Sequence, residues 1–133
     1  MSYLAIDYGK KYIGLANSDP DGILAFPISV IPNNSKTLDF ILNLVKEKEI
    51  ISIVMGNSKD QNGVDNEVNK YSKEFGKILE KETNLPIYYE NEAFTSNHAR
   101  NAINNISTSG RIDSSAAALI LQRFLDKKNK KSL

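Results

Sequence analysis

The chain has 133 residues, enough for one domain with a single core and too few for two. Hydrophobic residues make up 41% and charged residues 25%, the balance of an ordinary globular protein, and the net charge is only +1. Cysteine is absent and histidine occurs once, as His98, which excludes disulfides and thiolate metal sites. Any metal centre must then be built from oxygen ligands, which favours magnesium, manganese or calcium over zinc. No apolar run reaches the roughly 18 residues of a membrane span. The opening Met-Ser-Tyr-Leu-Ala enters strand-like sequence directly, without the basic start and apolar stretch of a signal peptide, so a cytoplasmic protein without membrane contact is expected.

In chain order, residues 3–8 read as a short apolar strand ending in Asp7-Tyr8-Gly9. Residues 13–16 and 23–31 follow as strands, with Asp19-Pro20-Asp21-Gly22 as a turn between them, so the first thirty residues suggest an antiparallel meander. Ser35 is a candidate helix cap, because Leu38, Ile41, Leu42 and Val45 then recur at helical spacing. Residues 50–55 form a β-branched apolar run closed by Gly56, the pattern of a buried parallel strand. After a polar loop comes a helix to about Glu82, with Val68, Tyr71, Phe75, Ile78 and Leu79 on its inward stripe. Residues 86–91 are the next strand, 95–103 a short helix, and 104–110 a Ser/Thr/Asn loop. The last helix starts near Asp113 and runs to about Leu125. The elements predict an α/β fold: a mixed five-stranded sheet, three antiparallel strands then two parallel, with helices on both faces. Residues 1–126 form the domain, and 127–133 a flexible basic C-terminal tail.

Three acidic positions converge in this topology. Asp7 ends the first strand, after the apolar Leu4, Ala5 and Ile6, at the carboxyl end where ligands of open α/β sheets bind. Glu92 follows a strand parallel to the first, and Glu90, two residues earlier, competes with it on the same face. Asp113 shares a helical face with Ala116, Ala117, Ile120, Leu121 and Phe124, which turns it towards the sheet. Each position also has a plainer reading: a strand-ending turn aspartate, a solvated loop carboxylate, a helix N-cap. Together, three carboxylates repel unless cations neutralise them, and a cluster without histidine or cysteine suits hard divalent metals. Two such ions serve phosphodiester hydrolysis. Lys10, Lys11 and Arg111 are the candidate phosphate contacts.

Four blocks in this order carry a resemblance: Leu4-Ala5-Ile6-Asp7-Tyr8-Gly9 through Ser18-Asp19; Ile53-Val54-Met55-Gly56; Asn91-Glu92-Ala93-Phe94-Thr95-Ser96; and Ile112-Asp113-Ser114-Ser115-Ala116-Ala117 with Ile120-Leu121-Gln122. The chain resembles the YqgF/RuvX family, small bacterial RNase H-like proteins described as Holliday junction resolvases and as nucleases maturing the 16S rRNA precursor. The resemblance covers nearly the whole chain. It implies an RNase H-like fold, Asp7, Glu92 and Asp113 as catalytic and metal-binding residues, and the choice of Glu92 over Glu90. It further implies Mg2+ or Mn2+, two ions, as cofactor. The implied activity is metal-dependent endonucleolytic cleavage of structured nucleic acid, foremost at the 5′ end of precursor 16S rRNA. Cleavage of branched DNA as a junction resolvase is the alternative, and a non-catalytic nucleic-acid or ribosome-associated module is a third reading. A monomer or a homodimer is compatible with these. Where relatives carry charged groups, this chain has Tyr12, Asn91 and Ala93, and Asn57-Ser58 replaces a proline-bearing loop, so weaker phosphate binding is expected.

Overall fold

The first apolar run becomes β1 (Ser2–Tyr8), the middle strand of a five-stranded sheet, in a computed structural model that describes residues 1–57, 67–91 and 114–131. β2 (Tyr12–Ser18) and β3 (Ala25–Pro32) follow as an antiparallel meander. The helix α1 (Thr37–Glu47) returns the chain so that β4 (Ile50–Asn57) pairs parallel with β1 on its free side. The helix α2 (Glu67–Thr83) does the same for β5 (Ile87–Asn91) against β4. The sheet order is β3-β2-β1-β4-β5, the mixed arrangement expected from the sequence. The expected helix over 95–103 and the loop over 104–110 lie outside the described residues.

Strand alternation divides the core between the two faces of the sheet. Leu4, Ile6, Ile13, Leu15, Ile53 and Met55 turn towards α1 and α2, where Ile41, Leu44 and Leu79 cover them. Tyr3, Ala5, Ala16 and Val54 turn the other way, under Ala117, Ile120, Leu121 and Leu125 of the last described helix, α3 (Ser114–Lys131). Each fully buried leucine or isoleucine contributes about 1.5–3 kcal/mol by leaving water. Small Ala5 and Ala16 on the second face let α3 approach the sheet closely.

Three local expectations are corrected. Ser35 does not cap α1: the N-cap position is Lys36, with no side-chain cap bond. Asn34 shapes this entry, its Oδ1 accepting from the Lys36 N–H at 2.8 Å, while Thr37 Oγ1 accepts from the Asn34 N–H at 2.9 Å. The inward stripe of α2 is rotated, since Tyr71 and Ile78 are 42% and 45% exposed and Ser72, Gly76 and Leu79 are buried. The cause is close approach: a Cβ on Gly76 would meet the Tyr89 hydroxyl, and would lie 3.1 Å from Met55 Sδ. Finally, α3 does not stop near Leu125 but continues to Lys131, so residues 127–131 belong to the helix. Lys128 caps the Tyr3 ring at 5.1 Å, within cation–π range.

Candidate active site

The chemistry expected of this chain depends on what lies at the carboxyl end of β1. Asp7 is half-buried there, after five buried residues. Because Tyr3 and Ala5 pack under α3, alternation puts Asp7 on the same face of the sheet. Tyr8 takes the opposite face, partly buried and packed against the α1–α2 cluster with its ring 5.4 Å from that of Phe75.

The direction of α3 follows from its side-chain contacts. Phe124 and Lys128, in its second half, both meet Tyr3 at the start of β1. The helix therefore runs against β1, and its first turn lies towards the end of the strand that carries Asp7. Gln122 fixes the same helix to the β2–β3 connection, accepting from the Ala25 N–H at 2.9 Å and donating to the Ile23 carbonyl at 2.8 Å. Asn129 adds a bond to the Gly22 carbonyl at 3.0 Å. Gln122 lies in the fourth block of the resemblance, but neither amide carries a pattern that points to this bonding role.

One step beyond the Ile6–Met55 and Met55–Tyr89 pairings comes the row of Asp7, buried Gly56 and Glu90. Two strand spacings separate Asp7 from Glu90, about 10 Å. Glu90 is buried, 5% exposed, and its carboxylate is engaged from α3. Lys127 Nζ donates to Oε2 at 3.0 Å and also lies 2.9 Å from Oε1, in ionic contact without an aligned hydrogen bond. Arg123 Nε stands 3.8 Å from Oε1, a charge contact too long for a hydrogen bond. The competitor of Glu92 thus has its own cationic partners.

Lys10 and Lys11 occupy the turn between β1 and β2, exposed and at the same end as Asp7. That turn is pinned by Asn33, whose N–H donates to the Lys11 carbonyl and whose amide donates to the Gly9 carbonyl, both at 2.8 Å. Gly9 is required by close approach, since a Cβ there would come 2.6 Å from the Tyr12 carbonyl oxygen. Glu92, Asp113 and Arg111 lie outside the described residues. In the sequence, Glu92 directly follows the last residue of β5 and Asp113 directly precedes the first of α3. Among the described residues, no helix is long and apolar enough to cross a membrane.

Comparison with known proteins accounts for nearly the whole chain. Residues 1–127 match a family described as RuvX, Holliday junction resolvase. A protein of Oenococcus oeni named "Putative pre-16S rRNA nuclease" is 36% identical over 140 residues, covering 98% of this chain and 97% of its own. One of the same name from Sulfurihydrogenibium is 35% identical, covering 93% and 89%. Among solved structures, Thermus thermophilus RuvC in complex with a Holliday junction substrate aligns with a TM-score of 0.62 at 14% identity, over 97% of this chain and 96% of that one. The fowlpox virus Holliday junction resolvase aligns with a TM-score of 0.56 at 12% identity, over 96% and 99%. At such identities these two structures show the fold alone, and that fold is RNase H-like.

Proposed function

We propose that this chain, which belongs to the RuvX Holliday junction resolvase family, is a nuclease that hydrolyses phosphodiester bonds in structured nucleic acid with the help of a divalent metal. The observation that carries the reading is the place of Asp7, a half-buried carboxylate at the carboxyl end of the central strand, on the face covered by α3. Glu92 and Asp113 complete the ligand set, supported by their adjacency in sequence to β5 and α3. Magnesium or manganese fits the donors, which are carboxylate oxygens in a chain without cysteine and with a single histidine. Two ions, when bound, supply Lewis-acid stabilisation of the reacting phosphate and an activated water. The chain's own β1 holds Asp7 at the carboxyl end of the central strand, on the face that α3 covers. Lys10 and Lys11, exposed on the turn after β1, and Arg111 contact the phosphate backbone as point charges and a fork.

The substrate we favour is the 5′ end of precursor 16S rRNA, because the curated relatives that cover almost the entire chain carry that name. The cytoplasm is where such a substrate is met. Branched DNA is the second reading, favoured by the family's description as a junction resolvase. A junction resolvase makes two symmetric cuts and so acts as a dimer, whereas an rRNA nuclease acts as a monomer or a dimer. Purified protein incubated with Mn2+ on a four-way junction and on a precursor rRNA end, in parallel, separates the two. Cleavage at the rRNA end is expected; cutting of the junction alone would transfer the assignment to recombination. Tight binding of either nucleic acid without cleavage would replace the enzyme by a binding module.

A further inference from the structure

β5 and α3, which Glu92 follows and Asp113 precedes in the sequence, are tied together by an ion cluster around buried Glu90 that the proposed chemistry does not use. Glu90 lies on β5 two residues before Glu92, and its side chain is 7% exposed. Lys127 straddles its carboxylate at 2.9 Å and 3.0 Å, and Arg123, one turn earlier on α3, lies 3.8 Å from the same group. Residues four apart share one face of a helix, so both cations reach from α3 to one strand residue. Removing the cations that meet a buried carboxylate leaves that carboxylate without its partners. The ring contact between these elements, Tyr88 with Phe124 at 5.2 Å, adds apolar packing beside the ion cluster.

We infer that Glu90, Lys127 and Arg123 are positioning residues for the metal site, locking together β5 and α3, the elements that Glu92 follows and Asp113 precedes in the sequence. The inference rests on the reading of Asp7, Glu92 and Asp113 as metal ligands. From Arg123 back to Ser114 the helix spans nine residues, about 14 Å at its usual rise, and a helix transmits a tilt over that length. Charge alone argues the opposite outcome for Lys127. Removing a cation beside a cation site should tighten metal binding, whereas removing a lock should loosen it.

The test is the Mn2+ affinity of the full chain, by titration calorimetry and by the loss of the free Mn2+ EPR signal. Wild type is expected to bind and Asp7→Asn to lose binding. Lys127→Met is expected to bind on the order of 10-fold more weakly, as loss of an outer-layer partner does, with its circular dichroism unchanged. Lys127→Arg, which keeps the positive charge, should bind Mn2+ more tightly than Lys127→Met. Should Lys127→Met fail to fold, Arg123→Met, at a side chain 38% exposed, gives the same readout. Binding that is lost in Asp7→Asn yet unchanged or tighter in folded Lys127→Met overturns the lock alone. A wild type that binds no Mn2+ overturns the metal-site reading and the lock with it.

Discussion

The ring of Tyr3, at the start of β1, packs against the ring of Phe124 in α3 with centroids 5.9 Å apart and planes inclined by 51°. With Lys128 over the same ring at 5.1 Å, this contact places the second half of α3 at the start of the central strand. Phe124 also meets Tyr88 of β5 at 5.2 Å, so it joins two strands to the helix. Phe124→Ala should therefore lower unfolding stability by roughly 2–3 kcal/mol, less than a fully buried phenylalanine because the side chain is only partly covered. Urea unfolding followed by circular dichroism measures it, and a change below about 0.5 kcal/mol, the range of neutral surface substitutions, would show that the Phe124 ring contacts do not hold α3.

Glu49 follows α1 with φ at +52°, a left-handed conformation that costs a side chain bearing a Cβ. Glycine takes that conformation freely. Glu49→Gly is expected to stabilise the protein by about 0.5–1 kcal/mol, read as a rise in Tm. The ion pair it deletes, to the chain's amino terminus at 3.8 Å, is highly exposed and weighs little against this gain.

Gly9 presents the reverse case. A methyl group there would press on the Tyr12 carbonyl oxygen at 2.6 Å, and backbone cannot swing aside as a side chain tip does. Gly9→Ala should cost about 1–3 kcal/mol and disturb the turn of Lys10 and Lys11. Chemical shifts of the Asn33 side-chain amide, which donates to the Gly9 carbonyl, would report that disturbance directly.

Asp19 accepts from the N–H groups of Ile23 and Leu24 at 2.7 Å and 3.0 Å, and these bonds hold its carboxyl below the usual carboxylate range. A depressed folded value means that the charged form is the one the fold prefers. Its stabilisation is present above about pH 4, the unfolded carboxylate value, and is lost as pH falls through the lower folded value. Thermal melts from pH 6 to pH 2 should show the wild type losing more stability on acidification than Asp19→Ala does. Parallel curves would contradict the assignment.

The sheet was legible because its strands are written in two different codes. The β-branched run before Gly56 reads as a strand buried on both faces, and the turn Asp19-Pro20-Asp21-Gly22 separates the antiparallel pair. The carboxyl-end position of Asp7 follows from that topology. The stripe of α2 departs from its hydrophobic spacing because size is no sign of burial there. Gly76 faces inward where the helix lies against Tyr89 and Met55 and a larger residue would not fit, and Ser72, four residues earlier, is buried with it. The role of Glu90 had no signature at all, as its partner Lys127 stands 37 residues away in a lysine run that reads as a solvated tail. Ion pairs between distant elements leave no period in a sequence. Hydrophobic faces do.

The central claim is tested most directly by the rate at which the purified chain cleaves a precursor 16S rRNA end in Mn2+, compared with Asp7→Asn, Glu92→Gln and Asp113→Asn prepared in the same way. The account predicts metal-dependent cleavage by the wild type, abolished by EDTA, and a loss on the order of 100-fold or more in each variant, beyond what outer-layer partners cost. Cleavage that survives in folded Asp7→Asn, or a folded, metal-binding wild type that cuts neither this substrate nor a four-way junction, would contradict it.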